Sequence, residues 1–201
     1  MSRPREFATD TVLDAVKDAF WRKGFEATSL ADLEDCTGLS RSSLYQAFGS
    51  KRGLFEAALA RYREQDLDPV LTDLERPGAG LAELRQYFAM LSDVLRADPE
   101  LAARGCLVVN TMTELAARDE AARLAAVAYN QRVTAALTNG LRGAATGAEQ
   151  RADADRRARV MCAAVIGALV TAHFDPKGAA ALCEQLSADL TEVPPRACSQ
   201  A

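Results

Sequence analysis

The stretch TGLSRSSLYQAFGSKRGLF, which runs from Thr37 to Phe55, decides the fold. Ser40 is a typical N-cap residue and Gly49 is typical of a helix C-terminus, so a short helix is predicted between them. Leu44 and Phe48 lie four residues apart and therefore point to the same side of that helix. The remaining side chains, which are hydroxyls, a cation, a tyrosine and an amide, are left to face outwards.

The residues before this stretch predict another short helix. Ser29 and Asp32 form the pattern of a capping box, and Thr37-Gly38 interrupts the helix about two turns later. Two short helices joined by a tight turn, here over residues 29–48, are typical of a helix-turn-helix. The second helix of such a motif enters the major groove of DNA with its N-terminal residues leading.

Helices are also predicted on both sides of the motif. The first is expected to begin near Thr9 or Asp10 and to end at Lys23, because Gly24 follows. Ser50 is expected to cap a fourth helix over about 51–66.

The outward side chains of the predicted second helix have the chemistry of base recognition. Arginine donates to guanine, glutamine bonds adenine, and each good bidentate contact discriminates by about 1–3 kcal/mol. Arg41, Ser42, Ser43 and Gln46 fit this role. Tyr45 fits it too, although it could instead pack against the core.

The whole chain is acidic, so DNA binding must depend on a local surface. Its 201 residues carry a formal charge of −4, and residues 1–52 hold eight basic and eight acidic residues, a net charge of zero. A general attraction for nucleic acid is therefore not expected. Binding through phosphate contacts should be strongly sensitive to salt.

The rest of the chain predicts further helices, so the fold is expected to be all-α with about nine helices. Asp68-Pro69 to Gly80 holds two prolines and two glycines and is interpreted as a joint. Later helices are expected at about 81–96, 101–118, 120–141, 152–174 and 176–190. The tail over 192–201 is expected to be disordered.

The apolar run Val160 to Phe174 is only 15 residues long, short of the roughly 20 that cross a bilayer. It predicts a buried helix and no membrane contact. So many apolar helical faces also favour a homodimer over a plain intrachain core.

Gly24 to Leu59, GFEATSLADLEDCTGLSRSSLYQAFGSKRGLFEAAL, resembles the DNA-binding region of TetR-type (TetR/AcrR) transcriptional regulators. The resemblance implies a helix-turn-helix domain over 6–66 and a ligand-binding and dimerisation domain over 81–191. It also implies a homodimer formed through about 152–190, which represses from a near-palindromic double-stranded DNA operator and leaves it when a small molecule binds. Ser42, Gln46-Ala47 and Glu34-Asp35 depart from the commonest pattern, so the operator sequence does not follow from it.

The resemblance also extends the set of expected DNA contacts. The leader RPREF is similar to the basic arm that often precedes the first helix in this family, and it adds two arginines. The full set is Arg3, Arg5, Thr28, Ser29, Ser40, Arg41, Ser42, Ser43, Tyr45, Gln46 and Lys51. Lys51 is suited to a phosphate.

An effector pocket is expected among the C-terminal helices, although most of its candidates are equally well explained as core. Asn110 is the strongest, because an amide among apolar residues needs a hydrogen-bond partner. The candidates are Tyr62, Phe88, Leu91, Cys106, Val109, Asn110, Thr113, Tyr129, Met161 and Val165.

The five cysteines form no C-x-x-C pair, which favours a reducing, cytoplasmic compartment. Cys106 lies near a predicted helix start beside Arg104, and both features lower the pKa of a thiol. A switch by oxidants or electrophiles is therefore one alternative, and a small buried hydrophobe is the other.

A single histidine, His173, and scattered cysteines do not provide the groups of an enzyme or a metal site, so neither catalysis nor a cofactor is expected. His173 is interpreted as a cap or interface residue. The alternative from another class of protein is a helical interaction module without specific DNA binding.

Overall fold

A computed structural model describes the backbone of residues 3–190 and the side chains of residues 9–190. Within that range all regular secondary structure is helical, as predicted. The α-helices are α1 (Arg3–Ala27), α2 (Leu30–Thr37), α3 (Arg41–Phe48), α4 (Lys51–Tyr62), α5 (Asp68–Glu75), α6 (Leu81–Ala97), α7 (Pro99–Ala102), α8 (Leu107–Leu115), α9 (Glu120–Ala144), α10 (Ala148–Thr171) and α11 (Pro176–Ala188).

The described helices agree with the expected number of about nine. A π-helical turn, Arg63–Leu67, joins α4 to α5 without a break, and α7 is a single turn of four residues. Nine longer helical segments then remain between residues 3 and 190.

The predicted helix ends around the helix-turn-helix of residues 29–48 are confirmed. Ser29 and Asp32 form both hydrogen bonds of a capping box at the start of α2. Gly38 ends that helix with a φ of 67°, a left-handed conformation that glycine adopts at little cost. Ser40 caps α3 by accepting from the amide of Ser43, and Ser50 caps α4 by accepting from the amide of Gly53.

Helix α1 begins at Arg3, earlier than predicted. Pro4 falls within its first turn, where the missing N–H costs nothing because first-turn amides have no intrahelical partner. The expected break does occur at Gly24, whose φ of 79° and ψ of 174° are non-helical. The helical segment resumes after it and ends at Ala27.

The expected joint from Asp68-Pro69 to Gly80 begins later than predicted, because the chain stays helical as far as Glu75. A proline inside an α-helix removes one hydrogen bond and clashes with the preceding turn. The π-helical turn Arg63–Leu67 ends two residues before Pro69, and a wider turn at this point leaves room for the proline ring. Helix breaks follow only at residues 76–80.

The single helix predicted over 101–118 is also wrong. The chain leaves the helix at Ala103 and resumes at Leu107, with Cys106 as the N-cap. Gly105 lies between them with a φ of 62°, which a helix does not contain.

Two packing units divide the chain, and neither is continuous in sequence. Of the described residues, the first unit comprises those up to Val70 together with Arg104–Tyr129, and the second comprises Leu71–Ala103 together with those from Asn130 onwards. Because residues 104–129 pack with the N-terminal helices, the units differ from the linear boundaries 6–66 and 81–191, which stay a prediction. The tail 192–201 lies outside the described residues.

The core of the first unit is aromatic. Phe20, Phe25 and Phe55 contact one another, with ring centroids 5.0 to 6.1 Å apart. Leu44 from α3 and Leu115 from α8 pack into the same core. Helix α3, which we call the reading helix, is therefore anchored by the face that the sequence predicted.

The core of the second unit is built on small residues. Ala168, Ala179, Ala180 and Cys183 are buried between α10 and α11, and Leu95 of α6 joins them. Small side chains allow these helices to approach closely. No helix in the described part of the chain is long and apolar enough to span a membrane.

Candidate nucleic-acid interface

Helix α3 presents a polar face to solvent. Arg41, Ser42, Ser43 and Gln46 are exposed, whereas Leu44 is completely buried. Arg41 forms no ion pair with any other residue that the structure describes. Its guanidinium is thus available to an external acceptor such as a guanine edge or a phosphate.

A carboxylate fixes α3 relative to α2. The backbone amide of Arg41 donates to Glu34 Oε1 over 2.6 Å, across the turn between the two helices. This amide belongs to the first turn of α3, where no intrahelical partner exists. Sequence reasoning noticed Glu34 only as a departure from the family pattern, because a capping residue in a neighbouring helix has no local spacing signal.

Tyr45 plays a part in holding Arg41. The Arg41 guanidinium carbon lies 5.2 Å from the centroid of the Tyr45 ring, within the range of a cation–π contact. Tyr45 itself is half-buried. The ring thus packs and orients the arginine at the same time, and its contact with DNA stays a prediction.

Thr28 does not belong to the exposed set, which corrects its prediction as a DNA contact. Its side chain is fully buried, and its hydroxyl donates to the Gly24 carbonyl over 2.6 Å. Ser29 is exposed, but its hydroxyl caps α2. The side chains of Arg3 and Arg5 lie outside the described residues.

The capping carboxylate of α2 is held by a cation from α1. Lys23 Nζ lies 2.6 Å from Asp32 Oδ1, and Asp32 Oδ2 accepts from the Ser29 amide. The hydrogen bond from Lys23 and then those from Ser29 hold the pKa of Asp32 well below its usual range. Lys23 and Asp32 therefore neutralise each other beside the reading motif.

Lys51 stands at the start of α4, where the sequence predicted a phosphate contact. Its Nζ lies 4.6 Å from the Phe25 ring centroid and donates to the Glu26 carbonyl over 3.4 Å. It forms no ion pair with another described residue, and so its charge is left uncompensated at the N-terminus of a helix. Both features favour an anion at this position.

A second long-range tie connects the motif to α8. Glu114 accepts from the backbone amides of Phe25 and Glu26 over 3.0 and 2.8 Å, just after the break in α1. A Cβ at Gly24 would lie 2.8 Å from Glu114 Oε2, so the approach also requires a glycine. The two partners are almost 90 residues apart in sequence, which is why sequence reasoning missed this contact.

Three of the predicted pocket residues meet in the first unit. The phenol groups of Tyr62 and Tyr129 lie close to the Cys106 thiol and interact with it electrostatically. Trp21 packs edge-on against Tyr62, with centroids 5.0 Å apart, and its Nε1 donates to the carbonyls of Arg104 and Gly105. Burial raises the pKa of the Tyr62 phenol.

Cys106 does not have the lowered pKa that its position predicted. The thiol is buried, and this burial raises its pKa. Arg104, the expected source of positive charge, instead pairs with Asp18 at 2.6 Å. Because the thiolate is the reactive form, the environment of Cys106 opposes a thiol switch and agrees with the alternative of a small buried hydrophobe.

Asn110 has found the partner that its amide required. Its Nδ2 donates to the Arg104 carbonyl over 2.8 Å and thereby fixes the loop before α8. Val109 is buried in the core, and Thr113 is exposed with its hydroxyl on the Asn110 carbonyl.

The other candidates lie in the second unit. Phe88, Met161 and Val165 are buried, and Leu91 packs against the small-residue core. His173 Nδ1 lies 2.8 Å from the Ala103 carbonyl, just after α10 ends. The predicted pocket residues are therefore divided between two packing units.

Both parts of the chain match known families. Residues 12–58 match the family model described as "Bacterial regulatory proteins, tetR family", and residues 80–185 match "Tetracyclin repressor-like, C-terminal domain". The chain is 39% identical over 114 residues to the uncharacterised HTH-type transcriptional regulator YezE of Bacillus subtilis (strain 168). It is 37% identical over 115 residues to the HTH-type transcriptional repressor ComR of Escherichia coli (strain K12).

These matches cover 57% and 56% of this chain, and they span only 58% and 53% of the two relatives. The similarity to one solved structure extends over more of both chains. A cysteine mutant of the TetR family transcriptional regulator CifR, complexed with 26-base-pair operator DNA, matches with a TM-score of 0.73 and 27% identity. The likeness covers 89% of this chain and 94% of that one. The chain belongs to the TetR family of bacterial regulatory proteins.

Proposed function

We propose that the protein is a transcriptional regulator that binds a near-palindromic DNA operator as a homodimer. The observation that carries the proposal is the exposed face of α3, where Arg41, Ser42, Ser43 and Gln46 stand over a buried Leu44. The geometry fits a recognition helix whose first turn meets base edges. The operator complex of CifR, a protein of similar fold, supports the same partner.

The homodimer is supported by an unpartnered apolar stripe on α10 and in the turn after it. Its members are exposed, and they recur at intervals of three and four residues, so they share one helix face. They are Val160, Ala163, Gly167, Val170 and Phe174. Val160 is 62% exposed and Phe174 is 78% exposed, which a second copy of the same helix would cover.

Repression and release by a small molecule complete the proposal. A dimer on a promoter blocks transcription without needing a surface that recruits polymerase. ComR and BdcR, two of the relatives, are named as transcriptional repressors. An effector that binds better to a form in which the two reading helices are misplaced would release the operator.

A mobility-shift competition tests the proposal. The full chain is titrated into labelled DNA that flanks its own coding region, with unlabelled specific or unrelated DNA as competitor. Specific DNA is expected to compete at least a thousandfold better than unrelated DNA at physiological salt. Equal competition by both DNAs would favour the alternative of an interaction module that lacks specific DNA binding.

A further inference from the structure

The first unit contains a groove of about 270 Å³ between α4 and the segment that carries α8 and the start of α9. None of the side chains along it belongs to the predicted pocket. One wall is a single face of α4 that continues to the π-helical turn, with members at intervals of three and one residues: Arg52, Phe55, Glu56, Leu59, Ala60 and Arg63. Thr111 and three alanines form the other wall.

The groove exists because the wall opposite α4 carries only short side chains. Ala121, Ala122 and Ala125 recur on one face of α9, and a methyl group cannot reach across to α4. Phe55 and Ala122 are buried and form the apolar floor. From Arg52 to Arg63 the helix rises about 16 Å, so the groove is long and narrow.

The two ends of the groove differ in charge. Arg52 is compensated, because it pairs with Glu56 at 2.9 Å and with Asp119 at 2.5 Å. Arg63 is exposed and forms no ion pair with any residue that the structure describes. An apolar channel thus ends at an uncompensated guanidinium, although the chain as a whole carries a charge of −4.

We propose that this groove binds a small amphipathic carboxylate, whose hydrocarbon body lies on Phe55, Leu59 and the alanines of α9 and whose carboxylate pairs with Arg63. Guanidinium and carboxylate form a planar bidentate pair, which lysine or a neutral donor does not reproduce. A mostly apolar site with one polar anchor is the usual composition of a small-molecule site. A neutral or cationic head group would leave the anchor unused.

The groove is placed to affect the reading helix, and this consequence rests on the proposed function. Helix α4 follows α3 directly, and the Arg52–Asp119 pair holds the two walls together at the end nearest α3. A carboxylate that prefers a wider groove shifts α4 and therefore α3. Its effect on operator affinity is expected to be 5- to 150-fold.

Calorimetric titration of the native full-length protein with decanoate tests the site, with 1-decanol and decyltrimethylammonium as probes of the head group. Decanoate is expected to bind saturably and at least tenfold more tightly than either control, which corresponds to about 1.4 kcal/mol. Arg63→Gln should weaken decanoate binding at least tenfold. Arg85→Gln, at another exposed arginine without an ion pair in the described residues, should not.

A second pair of variants tests the body of the groove. Ala125→Leu fills the space that the alanines leave and should abolish the saturable binding of decanoate. Ala128→Leu, at an exposed position of the same helix that does not line the groove, should leave it intact. If Ala125→Leu does not fold, Arg63→Gln decides alone. Binding that is absent, equally strong for decanol, or unaffected by Arg63→Gln would overturn the site.

Mobility shifts with decanoate separate this proposal from the function it rests on. Saturating decanoate should weaken operator binding by the parent protein and leave the Arg63→Gln protein unaffected. Operator binding that is insensitive to a filled groove would overturn the regulatory role. If decanoate binds but no DNA does, the proposed function fails and the site stands. If DNA binds but decanoate does not, the site fails and the function stands.

Discussion

Arg41 is the residue on which DNA readout is expected to depend most. Its side chain is exposed, its backbone amide is fixed by Glu34, and its guanidinium lies against the Tyr45 ring. A charged group that is already oriented loses less conformational entropy on binding than a free one. The first position of α3 thus presents a cation that forms no ion pair with any other described residue.

Arg41→Ala is expected to weaken operator binding by about 1–3 kcal/mol and to relax specificity at one base position. Fluorescence anisotropy with the operator and a set of single-base variants measures both effects. Arg85→Ala, at an exposed arginine of α6, is the control and should bind like the parent. A uniform loss across all the sequences would indicate that Arg41 contacts phosphate instead.

The cysteines are expected to differ in reactivity by their burial. Cys36 is exposed, whereas Cys106, Cys162 and Cys183 are buried. Burial raises the pKa of the Cys106 and Cys162 thiols and raises that of Cys183 to about 11, so little thiolate forms at neutral pH. Burial also raises the pKa of Cys36, but its sulfur can be reached by a reagent.

Alkylation of the native protein with iodoacetamide at pH 7.5, followed by peptide mass spectrometry, should therefore label Cys36 well before the three buried cysteines. The denatured protein is the control, in which all five cysteines of the chain should react at similar rates. Labelling of native Cys106 as fast as Cys36 would restore the thiol switch as an explanation of regulation.

At the scale of single helices, the sequence predicted what short-range chemistry determines. Ser29, Ser40 and Ser50 cap their helices, and Gly38 ends α2, because each of these interactions joins residues within one turn. A cap needs only a residue type at a fixed offset. The reading face of α3 was therefore recognisable without a structure.

The elements that escaped prediction depend on distant parts of the chain. Pro69 suggested a break, and only the preceding π-helical turn allows α4 to continue into α5. Cys106 was expected to be reactive, and the packing of Tyr62 and Tyr129 against it decides otherwise. The carboxylates of Glu34 and Glu114 accept hydrogen bonds from backbone amides of other helices. Residue spacing along one helix cannot indicate such contacts.

Glu114 links two elements, α1 and α8, and its loss is expected to lower the stability of the first unit. Glu114→Ala leaves the amides of Phe25 and Glu26 without their carboxylate acceptor, which should cost about 1–3 kcal/mol. Urea unfolding followed by circular dichroism measures the change. Glu64→Ala, at an exposed glutamate, is the control and should stay within about 0.5 kcal/mol of the parent. Equal stability of the two variants would contradict the capping role.

At the scale of the whole molecule, readout of a near-palindromic operator requires two copies of the chain. A single α3 reads only a few base pairs, and a twofold arrangement of two such helices reads half-sites about one helical turn, or 34–36 Å, apart. Joining two α3 helices in one dimer raises the affinity for DNA, because the second contact with DNA becomes intramolecular. The apolar stripe of α10 is the surface that we propose for this link.

Val160→Asp places a charge at the N-terminal end of this stripe and should give a monomer at micromolar concentration in sedimentation experiments. The fold should persist, since the side chain is 62% exposed. Operator affinity should fall by at least about a hundredfold. Val94→Asp changes a valine that is 51% exposed on α6 and serves as the control, which should remain a dimer. A dimer in both variants would place the interface elsewhere.

Two α3 helices in one dimer are expected to read one near-palindromic site, and hydroxyl-radical footprinting on the DNA that flanks the coding region detects such an arrangement. Two symmetric protected patches should appear on one face of the duplex, about 10 base pairs apart or at a multiple of that spacing. Both patches should be lost together in Val160→Asp. A folded, dimeric protein that protects no site on this DNA, or protects it without symmetry, would rule out readout by two α3 helices.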